Sequence, residues 1–152
     1  MIGGLRVLAV PVAYNEEKKI RSVLGRFKGV EGVDQVLLLD DASTDGTPGV
    51  AREFGYEVLS QPKRSGVGAA IRRAIRYGRE KNFDVLVVLA GNDKDRPVEI
   101  PRLVKPIAEQ GYDFVQGSRY LRGGDYGNMP LYRQITTRYV HPLLLSAAAG
   151  RR

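Results

Sequence analysis

The stretch Val36-Leu37-Leu38-Leu39-Asp40-Asp41-Ala42-Ser43-Thr44-Asp45-Gly46-Thr47 joins an unbroken apolar run to two adjacent carboxylates and a polar turn. Four apolar residues in a row read as a strand buried on both faces, the pattern of a parallel sheet. Open α/β sheets bind their ligands at the carboxyl ends of such strands, which is where Asp40 and Asp41 fall. Asp and Ser also cap helices and make turns. Two acids followed by Ser-Thr-Asp-Gly-Thr exceed what capping needs, and the segment is read as a binding element.

The pattern repeats on either side. Leu5 to Val12 is a first apolar strand that ends in Ala13-Tyr14-Asn15-Glu16-Glu17. A helical spacing follows through Ile20, Val23, Leu24 and Phe27 and closes at Gly29 and Gly32. After the Gln35–Leu39 strand, Thr47 is placed as the N-cap of a helix with Pro48 at its first position. Tyr56 to Leu59 is a third strand, and Ala69 to Tyr77 a helix with Ala70, Ile71, Ala74 and Ile75 inward. Phe83 to Ala90 is a fourth strand, Ile100 to Ile107 a helix, and Asp113 to Gly117 a fifth strand. Strands alternating with helices predict a mostly parallel sheet flanked by helices, with right-handed crossovers. The tail departs from this rhythm. Arg119 to Met129 is a Gly-rich charged loop, and Leu131 to Ala149 a basic, amphipathic helix without a final strand. The expected organisation is one domain over 1–152, with a core over 1–118 and a loop-plus-helix segment over 119–152. Without that final strand the domain reads as C-terminally incomplete.

Composition narrows the chemistry. Of 152 residues, 43% are hydrophobic and 27% charged, as in a soluble globular protein. With no cysteine there is no disulfide framework or thiolate metal site, and the one histidine, His141, rules out a His-rich centre. The net charge of +7 points to an anionic partner, yet no aromatic–basic signature of nucleic-acid binding is present. No apolar run reaches the roughly 20 residues of a membrane span, and the N-terminus lacks a signal-peptide pattern. A cytoplasmic setting is expected.

Three strand ends carry acids: Glu16 and Glu17, Asp40 and Asp41, and Asp93 with Asp95. They are expected to converge on one crevice. Asp93 and Asp95 are two apart, which in an extended segment points both carboxylates to one side. All-oxygen ligands suit Mg²⁺ or Mn²⁺, completed by substrate phosphates and water. Ser65-Gly66-Val67-Gly68, ahead of a helix, offers backbone N–H groups to an anion. An ordinary Gly-rich turn is an equal reading there, since neither GxGxxG nor GxxxxGK[ST] occurs.

Taken together, these residues resemble a family 2 glycosyltransferase of the Rossmann-like GT-A fold, nearest to the dolichyl- or polyprenyl-phosphate sugar synthases. Ala13-Tyr14-Asn15-Glu16-Glu17 matches the AYNEE motif, with Val12 in place of its usual preceding Pro. Asp40 to Thr47 matches DDxSxDGT. Gly117-Ser118-Arg119-Tyr120 with Gly123-Gly124 matches GSRY…GG. The family's DADxQ segment, placed on Gly91-Asn92-Asp93-Lys94-Asp95 ahead of Pro97, has Gly91 at its first acid, retains Asp93, and has Asp95 at the Gln position. The D-x-[ST]-x-G-F-R segment that ordinarily follows has no match.

The resemblance implies a nucleotide-diphosphate sugar donor, UDP- or GDP-linked. Tyr14, Asn15, Glu16, Asp40, Asp41, Ser65 and Gly66 would hold it. A Mg²⁺ or Mn²⁺ ion would sit on Asp93 and Asp95, and Arg119, Arg133 and Arg138 would meet a polyprenyl-phosphate acceptor. Transfer would be an inverting displacement at the cytoplasmic face of a membrane. The basic, amphipathic tail helix suits a membrane surface, and a core helix missing its partner strands is an equal reading of it. Two alternatives differ in class: a nucleotidyltransferase on a similar sheet, and a nucleotide-sugar-binding module without turnover.

Overall fold

The structure, a computed structural model, describes residues 2–118, 129–148 and 150. The chain divides into two compact units, Met1–Val115 and Gln116–Arg152.

The first unit is built on four parallel strands: β1 (Val7–Ala13), β2 (Gln35–Asp40), β3 (Glu57–Ser60) and β4 (Val85–Ala90), in the order β3-β2-β1-β4. The order reverses between β1 and β4, and such a switch point opens a crevice at the carboxyl ends of the strands. Register makes those ends flush. Ala13 pairs with Asp40, Val12 with Ala90, and Asp40 with Ser60.

Alternating side chains on β1 and β2 feed two cores, as both faces of a buried parallel sheet require. Val7, Ala9, Val36 and Leu38 pack on α1 (Glu17–Gly25), α2 (Thr47–Glu53) and α4 (Ile100–Gln110) through Ile20, Val23, Leu24, Val50, Ile100 and Val104. Leu8, Val10, Leu37 and Leu39 pack on α3 (Val67–Glu80) through Ala70, Ala74 and Tyr77. Leu8, Leu37 and Leu38 have no exposed surface, and burying each of these residues stabilises the fold by about 1.5–3 kcal/mol.

Several expectations need correction. Residues 113–117 form no strand: Phe114 is 77% exposed, and β4 pairs only with β1 among the described residues. A strand needs a hydrogen-bonded partner, and among the described residues no strand pairs with this stretch. Ile75 is exposed rather than inward, because α3 turns the arc of Ala70, Ala74, Tyr77 and Gly78 to the sheet. Gly46, not Thr47, stands at the N-cap of α2.

The second unit holds one broken helical run: α5 (Leu131–Ile135), a π-helical turn over Thr136–Val140, and α6 (His141–Ala148). Leu131, Tyr132, Leu143, Leu144 and Leu145 are all more than 60% exposed. Among the described residues no helix is long and apolar enough to cross a membrane.

Candidate functional site

The loops leaving β1 and β2 are bound to each other by hydrogen bonds between side groups and backbone. Asn15, with φ of 52°, accepts the Thr44 N–H through Oδ1 at 2.8 Å and donates its own N–H to Ser43 Oγ at 2.9 Å. Asn is among the few side chains at ease in that left-handed conformation. The Glu16 N–H donates to Thr47 Oγ1 at 2.9 Å, and the Glu17 carboxylate accepts the Gly46 N–H at 3.0 Å. A Cβ at Gly46 would stand 2.6 Å from Glu17 Oε1, so any larger residue there would push the Glu17 carboxylate off this bond. Asp45 accepts the Thr47 N–H and hydroxyl. Burial pushes the Asp45 carboxyl up, but these donors and the Glu17 N–H hold it below its ordinary value.

Asp40 and Asp41 are both buried. Asp40 accepts the Ser43 N–H at 3.1 Å. Asp41 accepts three donors at 2.9 Å each: the Gln61 side-chain amide, the Ser65 N–H and the Gly66 N–H. Burial raises its pKa, yet these bonds and the Arg64 charge outweigh that, and the carboxyl lies below the usual range. The Ser65–Gly66 turn therefore does meet an anion, and the anion is Asp41. Arg64 also lies over the Tyr14 ring, 4.1 Å from its centroid, a cation–π contact. Glu16 pairs with Lys19 at 3.0 Å.

The third acidic strand end is arranged otherwise. Residues 91–95 form a turn, not an extended segment, and Asp93 has φ of 66°. The two carboxylates take different partners. Asp93 faces the Arg26 guanidinium, 2.7 Å from Nη1 and accepting from Nη2 at 3.1 Å, whereas Asp95 accepts the Ala90 N–H at 2.7 Å. The three acidic ends do not form one cluster: among the described residues no group of three or more His, Cys, Asp or Glu could hold a metal. Gly91 is crowded by β1, and a Cβ there would lie 2.8 Å from both Ala13 Cβ and Val12 O. That crowding accounts for the missing first acid. Asn92 Oδ1 and Asp93 Oδ1 are both buried without a hydrogen-bond partner. Oxygen acceptors left without donors on two successive residues, one of them a carboxylate, are ligands of the kind a hard cation takes.

The structure adds Arg26, Gln61, Arg64 and Asn92, which no sequence motif marks. The basic Pro62-Lys63-Arg64 run beside the Gly-rich turn is a signal for Arg64; Arg26 carries none. Arg133 and Arg138 lie on the helical run of the second unit. Arg119 and the Tyr120, Gly123 and Gly124 match lie outside the described residues.

Comparison with known proteins bears on this geometry. The model of the glycosyl transferase family 2 matches residues 9–148. The undecaprenyl-phosphate mannosyltransferase of Micrococcus luteus is 33% identical over 136 residues, covering 86% of this chain and 55% of that protein. The polyprenol monophosphomannose synthase of Mycolicibacterium smegmatis is 29% identical over 139 residues, covering 88% of this chain and 52% of its own length. Glucosyl-3-phosphoglycerate synthase from Mycobacterium tuberculosis, solved with Mn²⁺, UDP-glucose and phosphoglyceric acid, superposes with a TM-score of 0.64. It is 27% identical, and the match spans 95% of this sequence and 50% of that one. The protein thus spans about half the length of these relatives. With a parallel sheet of order β3-β2-β1-β4, joined loops at its carboxyl edge and a family match over nearly its whole length, the chain belongs to glycosyl transferase family 2.

Proposed function

We propose that the protein forms the donor-binding part of a hexosyltransferase that moves a sugar from a nucleotide-diphosphate sugar to a polyprenyl phosphate. The joined edge of β1 and β2 carries this reading. Tyr14, Asn15, Glu16, Asp40, Asp41, Ser65 and Gly66 stand on loops that hydrogen bonds or ring contacts bind into one wall beside the switch point. The Tyr14–Arg64 pair offers a flat cationic face to a base or a phosphate. In this reading Asp93, with Asp95 beside it in the turn after β4, holds Mg²⁺ or Mn²⁺. Bound there, the ion neutralises charge on the departing diphosphate.

The reaction is a single displacement. A phosphate oxygen of the acceptor forms a bond to the anomeric carbon while the bond to the diphosphate breaks, inverting that carbon. An ionised phosphate is already a nucleophile, so no strong base is required. His141 accordingly has no assigned part. The lipid acceptor is supported by the names of the polyprenyl-phosphate relatives. It is supported too by the second unit, whose residues 131–148 expose leucines and tyrosines and carry Arg133 and Arg138 without an acidic residue. Such a helical surface suits peripheral contact with an anionic membrane face. In this reading the acceptor-side arginines meet the lipid phosphate on the cytoplasmic side.

Calorimetric titration of UDP and GDP, each with and without Mn²⁺, tests the donor site in the wild type and in Asp93→Ala. Metal-dependent binding of one nucleotide, lost in Asp93→Ala, is expected and identifies the base. Absence of binding under every condition overturns the donor site in this protein. Nucleotide-sugar binding without transfer to a polyprenyl phosphate would instead favour the binding module, to which the Arg26-occupied Asp93 lends support.

A further inference from the structure

Arg26 follows α1 directly, and its guanidinium is held on three sides. Nη2 donates to Ser22 Oγ at 3.1 Å and to Asp93 Oδ2 at 3.1 Å, while Nη1 lies 2.7 Å from Asp93 Oδ1. One carboxylate oxygen, Oδ2, thus accepts a charge-assisted hydrogen bond, while the other, Oδ1, lies in ion-pair contact with the guanidinium without an aligned hydrogen bond. Asp93 meets it from a left-handed backbone, φ 66°, a conformation that surrounding contacts must maintain. The pair is partly open to solvent, with side chains 46% and 28% exposed. An ion pair this open to solvent is weak enough to exchange for another cation. The crowding at Gly91 keeps a further acid out of this turn, so Asp93 meets the fork without a neighbouring carboxylate at that position.

From these contacts we infer that Arg26 is the resident counter-cation of Asp93, occupying the carboxylate until a divalent ion displaces the guanidinium. Arg26 is then a positioning residue that sets how tightly the turn takes metal, and the ion must compete with a charge supplied by the fold itself. The inference rests on the assignment of metal to Asp93 made above. One cation cannot be replaced by another at the same oxygens without losing the first pair, so removing Arg26 strengthens metal binding even though it removes a contact.

The test is titration of Mn²⁺ into the protein, read as loss of the electron paramagnetic resonance signal of the free ion. The wild type is compared with Arg26→Gln, Arg26→Lys, Arg21→Gln and Asp93→Ala. Arg26→Gln is expected to lower the Mn²⁺ Kd about three- to fivefold, the range open to a half-exposed ion pair. Arg26→Lys, which keeps the charge and loses the fork, should move it less in the same direction. Arg21, on α1 and paired with Glu53, controls for net charge and should leave the Kd in place. An unchanged or weaker Kd in Arg26→Gln, with binding still lost in Asp93→Ala, overturns the role of Arg26 alone. A shift in Arg21→Gln equal to that in Arg26→Gln overturns it as well. Mn²⁺ binding that survives Asp93→Ala overturns the metal assignment and the role of Arg26 together.

Discussion

The Asp41 carboxylate accepts the Gly66 N–H at 2.9 Å, tying the end of β2 to the residue that opens α3. The two residues lie 25 positions apart, and their bond fixes the entry to the helix on the far face of the sheet.

Stability should fall with acid through this bond. The Asp41 and Asp45 carboxyls both lie below their ordinary values in the folded protein. A depressed carboxyl contributes stability that is fully present above its unfolded pKa of about 3.9 and is lost as pH falls through the folded value. Urea denaturation from pH 7 to pH 2 should therefore show a loss below about pH 4. Asp41→Asn should flatten that limb and lower stability at pH 7; an unchanged limb would contradict the assignment.

Restoring the acid that the family pattern has at position 91 should harm the fold. A Cβ on Gly91 meets the Ala13 Cβ and the Val12 carbonyl at 2.8 Å, and neither can swing away. Gly91→Ala is expected to cost about 1–3 kcal/mol by overpacking, seen as a lower thermal midpoint, and Gly91→Asp at least as much. A midpoint unchanged in both variants would show that β1 yields.

Thr47 is fully buried, and its hydroxyl both accepts the Glu16 N–H and donates to Asp45. Thr47→Val keeps the shape and leaves that N–H without its acceptor. The expected loss is about 1–3 kcal/mol in urea unfolding, together with faster hydrogen exchange at Glu16. Thr47→Ser keeps the hydroxyl and should recover most of it.

The sheet is legible in the sequence because its signals are local. Continuous apolar runs mark β1, β2 and β4, and the acids stand visibly at their ends. What is not legible depends on partners distant in sequence. Asp93 and Arg26 are 67 positions apart, and no spacing rule joins them. Residues 113–117 carry a strand pattern, but a strand exists only when something pairs with it. In α3 apolar character favours Ile75, whereas shape favours the small faces of Ala74 and Gly78 beside Tyr77. The Asp93–Asp95 spacing argument needs an extended backbone, and the turn over 91–95 replaces it. The Gly-rich turn does bind an anion, as its residues suggest, but that anion is a carboxylate of the same protein.

The two margins of the sheet are unlike. The β3 margin is four residues long and begins with Glu57, a charge that discourages another strand from docking. The β4 margin is six residues, VLVVLA, with no charge and with Val88 39% exposed. Its outward amide and carbonyl groups are a ready template for strand addition. Among the described residues no other strand covers this margin, so the sheet carries an uncharged apolar edge to which a further strand can be added.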